Sequence, residues 1–210
     1  MPALPACDSA EAIPRDLRQR LEIAYQTQSL QTFASGQSIP LGLETIWLVY
    51  RGVVLLNTGY DNGDESLLGL VTPYQPFGRP LSQVAPYQAI ALTPVDVFGM
   101  PWQDVERSSD LAWDLLNGMN RRLQQSERLL ALMGQRRVED RLRQFLQMLQ
   151  EDLSQPLPQG DRLRIRLTHQ HLANALGTTR VTITRILGQL RRENWLAFDD
   201  DRHIIMLQKP

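Results

Sequence analysis

The sequence predicts an α+β protein with an N-terminal all-β domain, a long helix and a C-terminal helical domain that ends in a β tail. Three observations predict this order: short β-branched and aromatic runs between turn residues, an apolar heptad repeat, and two adjacent short helices, the second rich in arginine and threonine. With 210 residues, 42% of them hydrophobic and 21% charged, the chain can bury a core without a disulfide or a metal.

The N-terminus and the cysteine content favour a protein of a reducing, cytoplasmic environment. The first residues, MPALPACDSAEAIPRD, lack the basic and apolar regions of a signal peptide, and no apolar run is long enough to span a membrane. Cys7 is the only cysteine, which excludes an internal disulfide and an iron–sulfur cluster. Residues 1–14, rich in proline and alanine, are expected to be disordered.

Residues 15–102 are predicted to form the β domain. Strand-like runs alternate here with turn signals such as SGQS and NTGYDNGD. The runs are TIWLVY (45–50), GVVLL (52–56), ESLLGLV (65–71) and YQAIALTPVDVF (87–98). Several short strands at this spacing favour a small sandwich or barrel.

One long helix is predicted over residues 103–134, ending at Gly134. Its apolar residues alternate by four and three over three heptads, with Ser126 as the one polar member. This apolar seam consists of Ala112, Leu116, Met119, Leu123, Ser126, Leu130 and Met133. The off-seam residues that can dock on the β domain are Leu111, Trp113, Leu115 and Leu129. Either the seam itself docks there, or it pairs with a second copy; two apolar faces favour a homodimer.

Residues 135–210 are predicted to form a winged helix-turn-helix. The stretch THQHLANALG (168–177) has Thr168 as a good N-cap and Gly177 as a good residue to end a helix. A second helix within GTTRVTITRILGQLRR (177–192) has one apolar stripe. That stripe is Ile183, Ile186, Leu187 and Leu190. Two short helices joined by a glycine-containing turn are typical of this motif.

The flanking segments complete the motif. WLAF, DDD and RHIIML indicate a strand, a turn and a strand, which together would form the wing. SQPLPQGD (154–161) is predicted to be a loop, and LRIRL (163–167) alternates as a short strand does.

Charge is distributed unevenly along the chain. Residues 1–133 carry 9 Arg and 14 acidic residues, whereas residues 134–210 carry 12 Arg, one Lys and 9 acidic residues. The segment 162–192 holds seven Arg and no acid. A cluster of one sign favours a polyanion such as DNA, although arginines also form surface salt bridges. In a major groove, arginine can bind guanine, valine can contact only a methyl group, and threonine hydroxyls suit phosphates.

The stretch LTHQHLANALGTTRVTITRILGQL resembles the DNA-binding signature of the CRP/FNR superfamily of bacterial regulators. IWLVYRGVVLLN and PFGRPLS resemble its sensor strands and sensor loop, and the likeness is greatest to the nitrogen-control regulators of cyanobacteria. The resemblance spans about residues 30–207. It implies a cupin-like, cyclic-nucleotide-binding-like β-roll, a dimerisation helix, and a winged helix-turn-helix that binds double-stranded DNA as a homodimer. It also implies contact with RNA polymerase through residues 154–161.

Carried over residue by residue, the resemblance implies two kinds of DNA contact. Base contacts are implied for Arg180, Val181 and Arg185, and phosphate contacts for Thr179, Thr182, His169 and Gln170. Val181 stands where cyclic-AMP receptors have an acid, which implies a GTA…TAC-like palindrome. For His169 the alternative is a helix-start cap or a plain surface residue, and for Thr182 a plain surface role.

The resemblance also implies an effector pocket, from which this chain departs. The implied positions are Phe77, Gly78, Arg79, Arg122 and Glu127. For Arg122 and Glu127 the alternative is a plain pair on the surface of the long helix. Arg79 replaces the loop glutamate, Pro80 removes an amide donor and no Arg-Ser pair follows, so cyclic-nucleotide binding is not expected. The 2-oxoglutarate site of the nitrogen-control regulators needs a strand arginine, and Ala85 stands at its position. All three histidines lie in the DNA-binding part, so haem sensing is not expected either.

Two further interpretations concern the class of protein. The sequence has no glycine-rich phosphate loop, nucleophile elbow or metal-ligand spacing. We therefore expect no enzymatic activity, no cofactor and no metal. The acids of the predicted wing, residues 199–201, would repel phosphates. They leave open an effector-binding or protein-docking module that has lost specific DNA binding.

Overall fold

A computed structural model describes residues 30–207 of the chain. The predicted disorder of residues 1–14, and the first part of the β domain up to residue 29, lie outside the described residues. The α+β class is confirmed, with a β domain followed by helices and a C-terminal helix-turn-helix. No helix within the described part is long and apolar enough to cross a membrane.

The β domain is a roll of two small antiparallel sheets. Its strands are β1 (Gln31–Phe33), β2 (Thr45–Arg51), β3 (Val54–Gly59), β4 (Glu65–Val71), β5 (Pro76–Phe77), β6 (Gln88–Ala91) and β7 (Val95–Pro101). One sheet has the order β1-β7-β2-β5 and the other β4-β3-β6. Alternate residues of both sheets, among them Val49, Leu56, Phe77 and Val97, are fully buried between them. The intervening residues of β2 and β3 are buried as well, on the outer faces of the sheets, so both strands are apolar throughout.

The predicted single helix over 103–134 is wrong in one respect, because two helices occupy this stretch. They are α1 (Trp102–Arg107) and α2 (Ser109–Met133), separated at Ser108. Ser108 has extended backbone angles, φ −123° and ψ 110°, and its hydroxyl oxygen accepts a hydrogen bond from the Leu111 amide. This is an N-cap, which starts a new helix in place of continuing the old one.

Helix α2 docks on the β-roll through one side only. Leu115 packs against the cluster around Ile46, and a Cβ on Gly118 would lie 2.5 Å from Pro76 Cδ, so glycine permits the close approach. Leu129 packs against the core shared with the C-terminal domain. Trp113, expected to dock as well, is 64% exposed, because the helix turns that position away from the roll.

The C-terminal domain is a helical core with a four-stranded sheet. Its elements are α3 (Val138–Leu153), β8 (Ser154–Leu157), β9 (Gly160–Leu163), α4 (His169–Leu176), α5 (Arg180–Arg192), β10 (Leu196–Phe198) and β11 (Ile204–Leu207). The sheet order is β10-β11-β9-β8, and all its pairs are antiparallel. The predicted strand–turn–strand at the wing is therefore present.

Two details of this domain differ from the expectation. The segment 154–161, predicted to be a loop, is most of a β-hairpin, because β8 pairs with β9 and Ser154 lies opposite Leu163. The predicted strand over 163–167 stops at Leu163. Ile165 and Leu167 are buried like Leu163, so the alternation arises from one-sided burial of an extended segment and not from strand pairing.

The two domains share one apolar core. Val53, Leu55, Leu70 and Leu92, on the outward face of the β4-β3-β6 sheet, belong to the same buried cluster as the helices of the C-terminal domain. The helix-turn-helix is thus held against the outer face of the roll.

Candidate DNA-binding surface

The helix-turn-helix is formed by α4 and α5. Gly177 joins them in the left-handed region, with φ 58° and ψ 49°, and its amide donates to the Ala173 carbonyl. Glycine adopts this conformation without the penalty of a Cβ. The apolar stripe of α5 is buried, as its spacing predicts: Ile183, Ile186, Leu187 and Leu190 are at most 2% exposed. The opposite face of α5 is consequently fixed toward solvent.

The exposed face carries the side chains expected to contact bases. Arg180, Val181 and Arg185 are exposed, and Val181 is 78% exposed. Within residues 30–207, neither guanidinium of this face forms an ion pair. An exposed valine between two arginines without acidic partners contributes little to folding, so the face is available for a partner.

The start of α5 is arranged as an anion site. Thr179 is its N-cap, and its hydroxyl oxygen accepts from the Thr182 amide at 3.2 Å. The two threonine hydroxyl oxygens lie 3.0 Å apart. Thr179 therefore precedes the helix, which begins at Arg180. The free amides and the positive end of the helix dipole at this point favour a phosphate.

His169 and Gln170 lie in the first turn of α4 and have internal contacts. Thr184 Oγ1 donates its proton to the Arg180 carbonyl. His169 Nδ1 lies 2.8 Å from Thr184 Oγ1 and is therefore the donor in the contact between these two side chains. Burial lowers the pKa of His169, and the positive charges of Arg180 and Arg202 lower it further. Gln170 Nε2 donates to Asn174 Oδ1 at 2.7 Å. His169 thus links α4 to α5 and leaves Nε2 for the surface.

The wing is less acidic toward solvent than its sequence suggests. Arg162 of β9 places Nε 2.5 Å from Asp199 Oδ2 and Nη2 2.7 Å from His203 Nδ1. Burial alone would raise the pKa of Asp199, but the hydrogen bonds from Arg162 and the His203 amide hold it below its ordinary value. Arg162 is therefore not free for DNA, and Asp199 is already neutralised within the fold. Asp200 and Asp201 remain exposed.

The same cluster is the only group of potential metal ligands within residues 30–207. Oxygen and nitrogen atoms of Asp199, Asp201 and His203 lie within 4.8 Å of one another. The Arg162 guanidinium already contacts Asp199 and His203, so it takes the place that a cation would need.

Arg202, at the tip of the wing, is a functional candidate that sequence reasoning misses. It adopts a positive φ of 65° in the turn between β10 and β11. Its positive charge is one of the causes that lower the pKa of His169, in the first turn of α4. A hairpin whose turn begins after Phe198 has Arg202 within that turn, and this pattern could have indicated its position on the wing.

The implied effector residues have different surroundings in the β-roll. Phe77 is fully buried in the core of the roll, and Gly78 precedes a short 3-10 turn. Arg79 borders an open cleft of about 580 Å³ whose lining includes neither Arg122 nor Glu127. Arg122 Nη1 donates to the Pro76 carbonyl at 3.1 Å, and Glu127 is exposed.

The apolar seam of α2 faces solvent in the single chain. Leu116, Leu123, Leu130 and Met133 are 54%, 57%, 75% and 39% exposed. Met119 is half-buried, and Ala112 and Ser126 are exposed. The side that docks on the roll is the other one, so the seam does not stabilise the chain by itself.

A winged helix-turn-helix attached to a sensor-like β-roll defines a class of DNA-binding transcription regulators, and comparisons with known proteins agree. Residues 140–210 match the family described as the Crp-like helix-turn-helix domain. The Global nitrogen regulator of Synechocystis is 35% identical in an alignment of 164 residues, with 73% of this chain and 72% of the relative covered. The Regulatory protein CysR of Synechococcus elongatus is 38% identical over 157 residues, with 73% and 72% covered.

Solved structures agree on the fold. A CRP-family regulator of Thermus thermophilus superposes with a TM-score of 0.74 at 23% identity, covering 85% of this chain and 92% of that one. A CRP/FNR-family regulator of the same organism gives a TM-score of 0.71 at 26% identity, covering 86% and 94%. The chain belongs to the CRP/FNR superfamily of transcription regulators.

Proposed function

We propose that this regulator binds, as a homodimer, a palindromic DNA site of the GTA…TAC type. The observation that carries the proposal is the exposed Arg180–Val181–Arg185 face on a helix whose other side is buried. Arginine at these positions reaches guanine O6 and N7, and Val181 offers a methyl surface to thymine. The CRP/FNR relatives are regulators and not enzymes, and no catalysis is proposed. A protein acting on the bacterial chromosome would work in the cytoplasm.

The dimer is proposed from the seam of α2. Four large apolar side chains exposed along one helix face are unusual for a chain that works alone. Parallel pairing of two seams would bring the two α5 helices onto one side of the dimer. Their separation would then match one turn of DNA, about 34 Å, and the symmetry of the site.

Phosphate contacts would surround the base-reading face. Thr179 and Thr182 lie at the helix start, and His169 and Gln170 lie beside them on α4. Arg202 extends the positive surface onto the wing. Pairing of Asp199 with Arg162 supports a wing that approaches DNA, because it removes one of the charges that would repel phosphate.

The effector pocket of the roll is proposed to be degenerate. Arg79 and Pro80 stand where a nucleotide-binding loop needs a carboxylate and an amide, and Arg122 is held by a backbone carbonyl. The β8–β9 hairpin is the proposed contact for RNA polymerase. Transcription from a reconstituted promoter, with Gln159→Ala at the exposed turn of the hairpin and DNA binding as control, tests that contact.

Selection of genomic fragments by the purified protein, followed by footprinting, tests the whole proposal. Enrichment of a GTA…TAC palindrome with protection across both half-sites is the expected result. The alternative, a docking module without specific DNA binding, would give no enriched motif and only salt-sensitive protection. Enrichment of an asymmetric motif would overturn the homodimer and keep the DNA-binding role.

A further inference from the structure

A second cavity lies where the outer face of the β-roll meets α4. Its volume is about 330 Å³, within the range of small-molecule sites. Leu55, Leu67 and Leu92 form an apolar wall on the side of the roll. Polar side chains from both domains line the rest. Its lining shares only Ile90 with the cleft beside Arg79 and includes no residue of α5.

Asn57 supplies the observation that points to a ligand. It lines the cavity, is 2% exposed, and its Oδ1 has no hydrogen-bond partner within residues 30–207. A buried amide oxygen without a donor destabilises the fold, and an apolar residue of the same shape would avoid that penalty. Neighbouring Leu55 and Leu56 are apolar, so folding alone does not require an acceptor here.

A second acceptor lies on the same face of the sheet. Asn57 of β3 lies opposite Leu67 of β4, and Glu65 is two residues before Leu67 on the same strand. Asn57 and Glu65 are therefore diagonal neighbours across the two strands, about 7–8 Å apart. One Glu65 oxygen accepts from Asn174 Nδ2 at 3.0 Å, which links the roll to α4. Its second oxygen, together with Asn57 Oδ1, offers a place for a group with several N–H donors.

Two donors line the opposite side. Arg166 borders the cavity, its side chain is exposed, and it forms no ion pair within residues 30–207. His171 Nδ1 accepts from the Thr168 amide at 3.4 Å, so its proton is on Nε2 and can be donated. A guanidinium and an imidazole N–H together suit a carboxylate.

We propose that this cavity binds an α-amino acid with an apolar side chain. The ammonium group donates to Asn57 Oδ1 and Glu65, and the carboxylate accepts from Arg166 and His171 Nε2. The side chain lies on the wall of Leu55, Leu67 and Leu92. This arrangement gives Asn57 Oδ1 the donor that it lacks and places the apolar part of the ligand on apolar surface.

The bound amino acid would also regulate DNA binding, a step that rests on the proposed function. The amino acid would contact β3 and β4 on one side and α4 on the other. It would therefore favour the position of the helix-turn-helix, relative to the β-roll, in which both sides of the cavity contact the ligand. Any resulting change in DNA affinity must be matched by an equal change in amino-acid affinity, because the two bindings are linked.

Calorimetry of the full chain without DNA tests the cavity, with L-leucine and L-phenylalanine as probes at millimolar concentration. Binding of one or both is expected. Three related compounds should each bind at least about tenfold more weakly than the probes. Glycine lacks the apolar side chain, L-phenylalaninamide lacks the carboxylate, and N-acetyl-L-phenylalanine lacks the ammonium group. No heat from either probe would overturn the proposal, as would equal binding of the two blocked derivatives.

Three variants make the test specific. Arg166→Gln should weaken binding about tenfold or more, whereas Arg164→Gln, outside the cavity, should not. Asn57→Leu should abolish binding and leave the melting temperature of the free protein unchanged or higher. If Asn57 were needed only for folding, Asn57→Leu would lower the melting temperature, and that result would count against the site.

A DNA titration with and without the bound probe tests the regulatory step. A changed affinity is expected. Unchanged DNA affinity alongside calorimetric binding would remove the regulation and leave the binding site, and absence of any specific DNA binding would contradict the proposed function instead.

Discussion

Arg162 of β9 and Asp199 of the wing form a part-buried ion pair, with Nε 2.5 Å from Oδ2. The pair connects the hairpin that follows α3 to the hairpin that ends the domain. Since Asp199 also accepts the His203 amide at 2.7 Å, it closes the turn of the wing from inside. Because they pair with each other, Arg162 does not add to the basic surface and Asp199 does not add to the negative charge of the wing.

The pair predicts a specific loss of stability in acid. The pKa of Asp199 is below its ordinary value, so the pair contributes stability that is present above the unfolded pKa, about 3.9, and is lost as the pH falls through the folded value. Asp199→Asn should lower the melting temperature at pH 7 and flatten its decline below pH 4. Asp200→Asn, at the exposed neighbour, is the control. Equal acid profiles for wild type and Asp199→Asn would contradict the role of the pair.

Periodicity predicts most of the fold because it reports which face of an element is buried. The stripe of α5 follows from it, whereas the strands of the roll follow from β-branched and aromatic runs between turn residues. It cannot separate a strand from an extended segment buried on one side, as at Ile165, or detect an N-cap inside an amphipathic stretch, as at Ser108. Pairings such as Arg162–Asp199 depend on the register of distant strands, where Ile205 lies opposite Arg162, and no local pattern encodes that register.

Arg185→Ala should weaken binding to the specific site by about 1–3 kcal/mol and relax preference at one base pair. Arg185 is exposed and has no acidic partner in the described part of the chain, so its removal does not disturb the fold. Arg191→Ala, in the last turn of the same helix, is the matched control and should affect specific and random duplexes alike. Anisotropy titrations with both duplexes measure the difference. Equal losses on the two duplexes for Arg185→Ala would argue against base contact.

DNA binding should become tighter as the solution is acidified below neutral pH, because of His169. In the free protein, burial and the charges of Arg180 and Arg202 hold the pKa of His169 below its ordinary value of about 6.5. A phosphate of the DNA beside His169 would raise the pKa of its imidazole. The imidazole would then take up a proton when DNA binds, so the affinity for DNA rises as the pH falls through the raised pKa. The gain should level off below the free value. His169→Asn should lose this slope, and His171→Gln, whose ring lines the cavity beside the β-roll, should keep it.

Leu123→Glu should convert the proposed dimer to monomers. Leu123 is 57% exposed in the single chain and central in the seam, so in a dimer the new carboxylate would be buried against its symmetry mate. Gln124→Glu, exposed on the next position of α2, adds the same charge outside the seam and should leave the dimer intact. Sedimentation at micromolar concentration distinguishes the two states. A monomeric wild type would remove the dimer proposal together with the palindrome.

The chain is not expected to bind 2-oxoglutarate in the way that its resemblance to nitrogen-control regulators implies. Both carboxylates of that ligand need matched donors, and bidentate arginine contacts are among the stronger hydrogen bonds. The resemblance implies that Ala85 occupies the position of the strand arginine. In addition, Pro80 lacks an amide proton, and Arg122 donates to the Pro76 carbonyl. A buried carboxylate left without a partner costs several kcal/mol, enough to lower affinity by orders of magnitude. Calorimetry with millimolar 2-oxoglutarate should give no binding heat. Micromolar binding that is lost in Arg122→Ala and in Arg79→Ala would instead show that Arg79 replaces the missing arginine, and would restore the roll as a sensor of this acid.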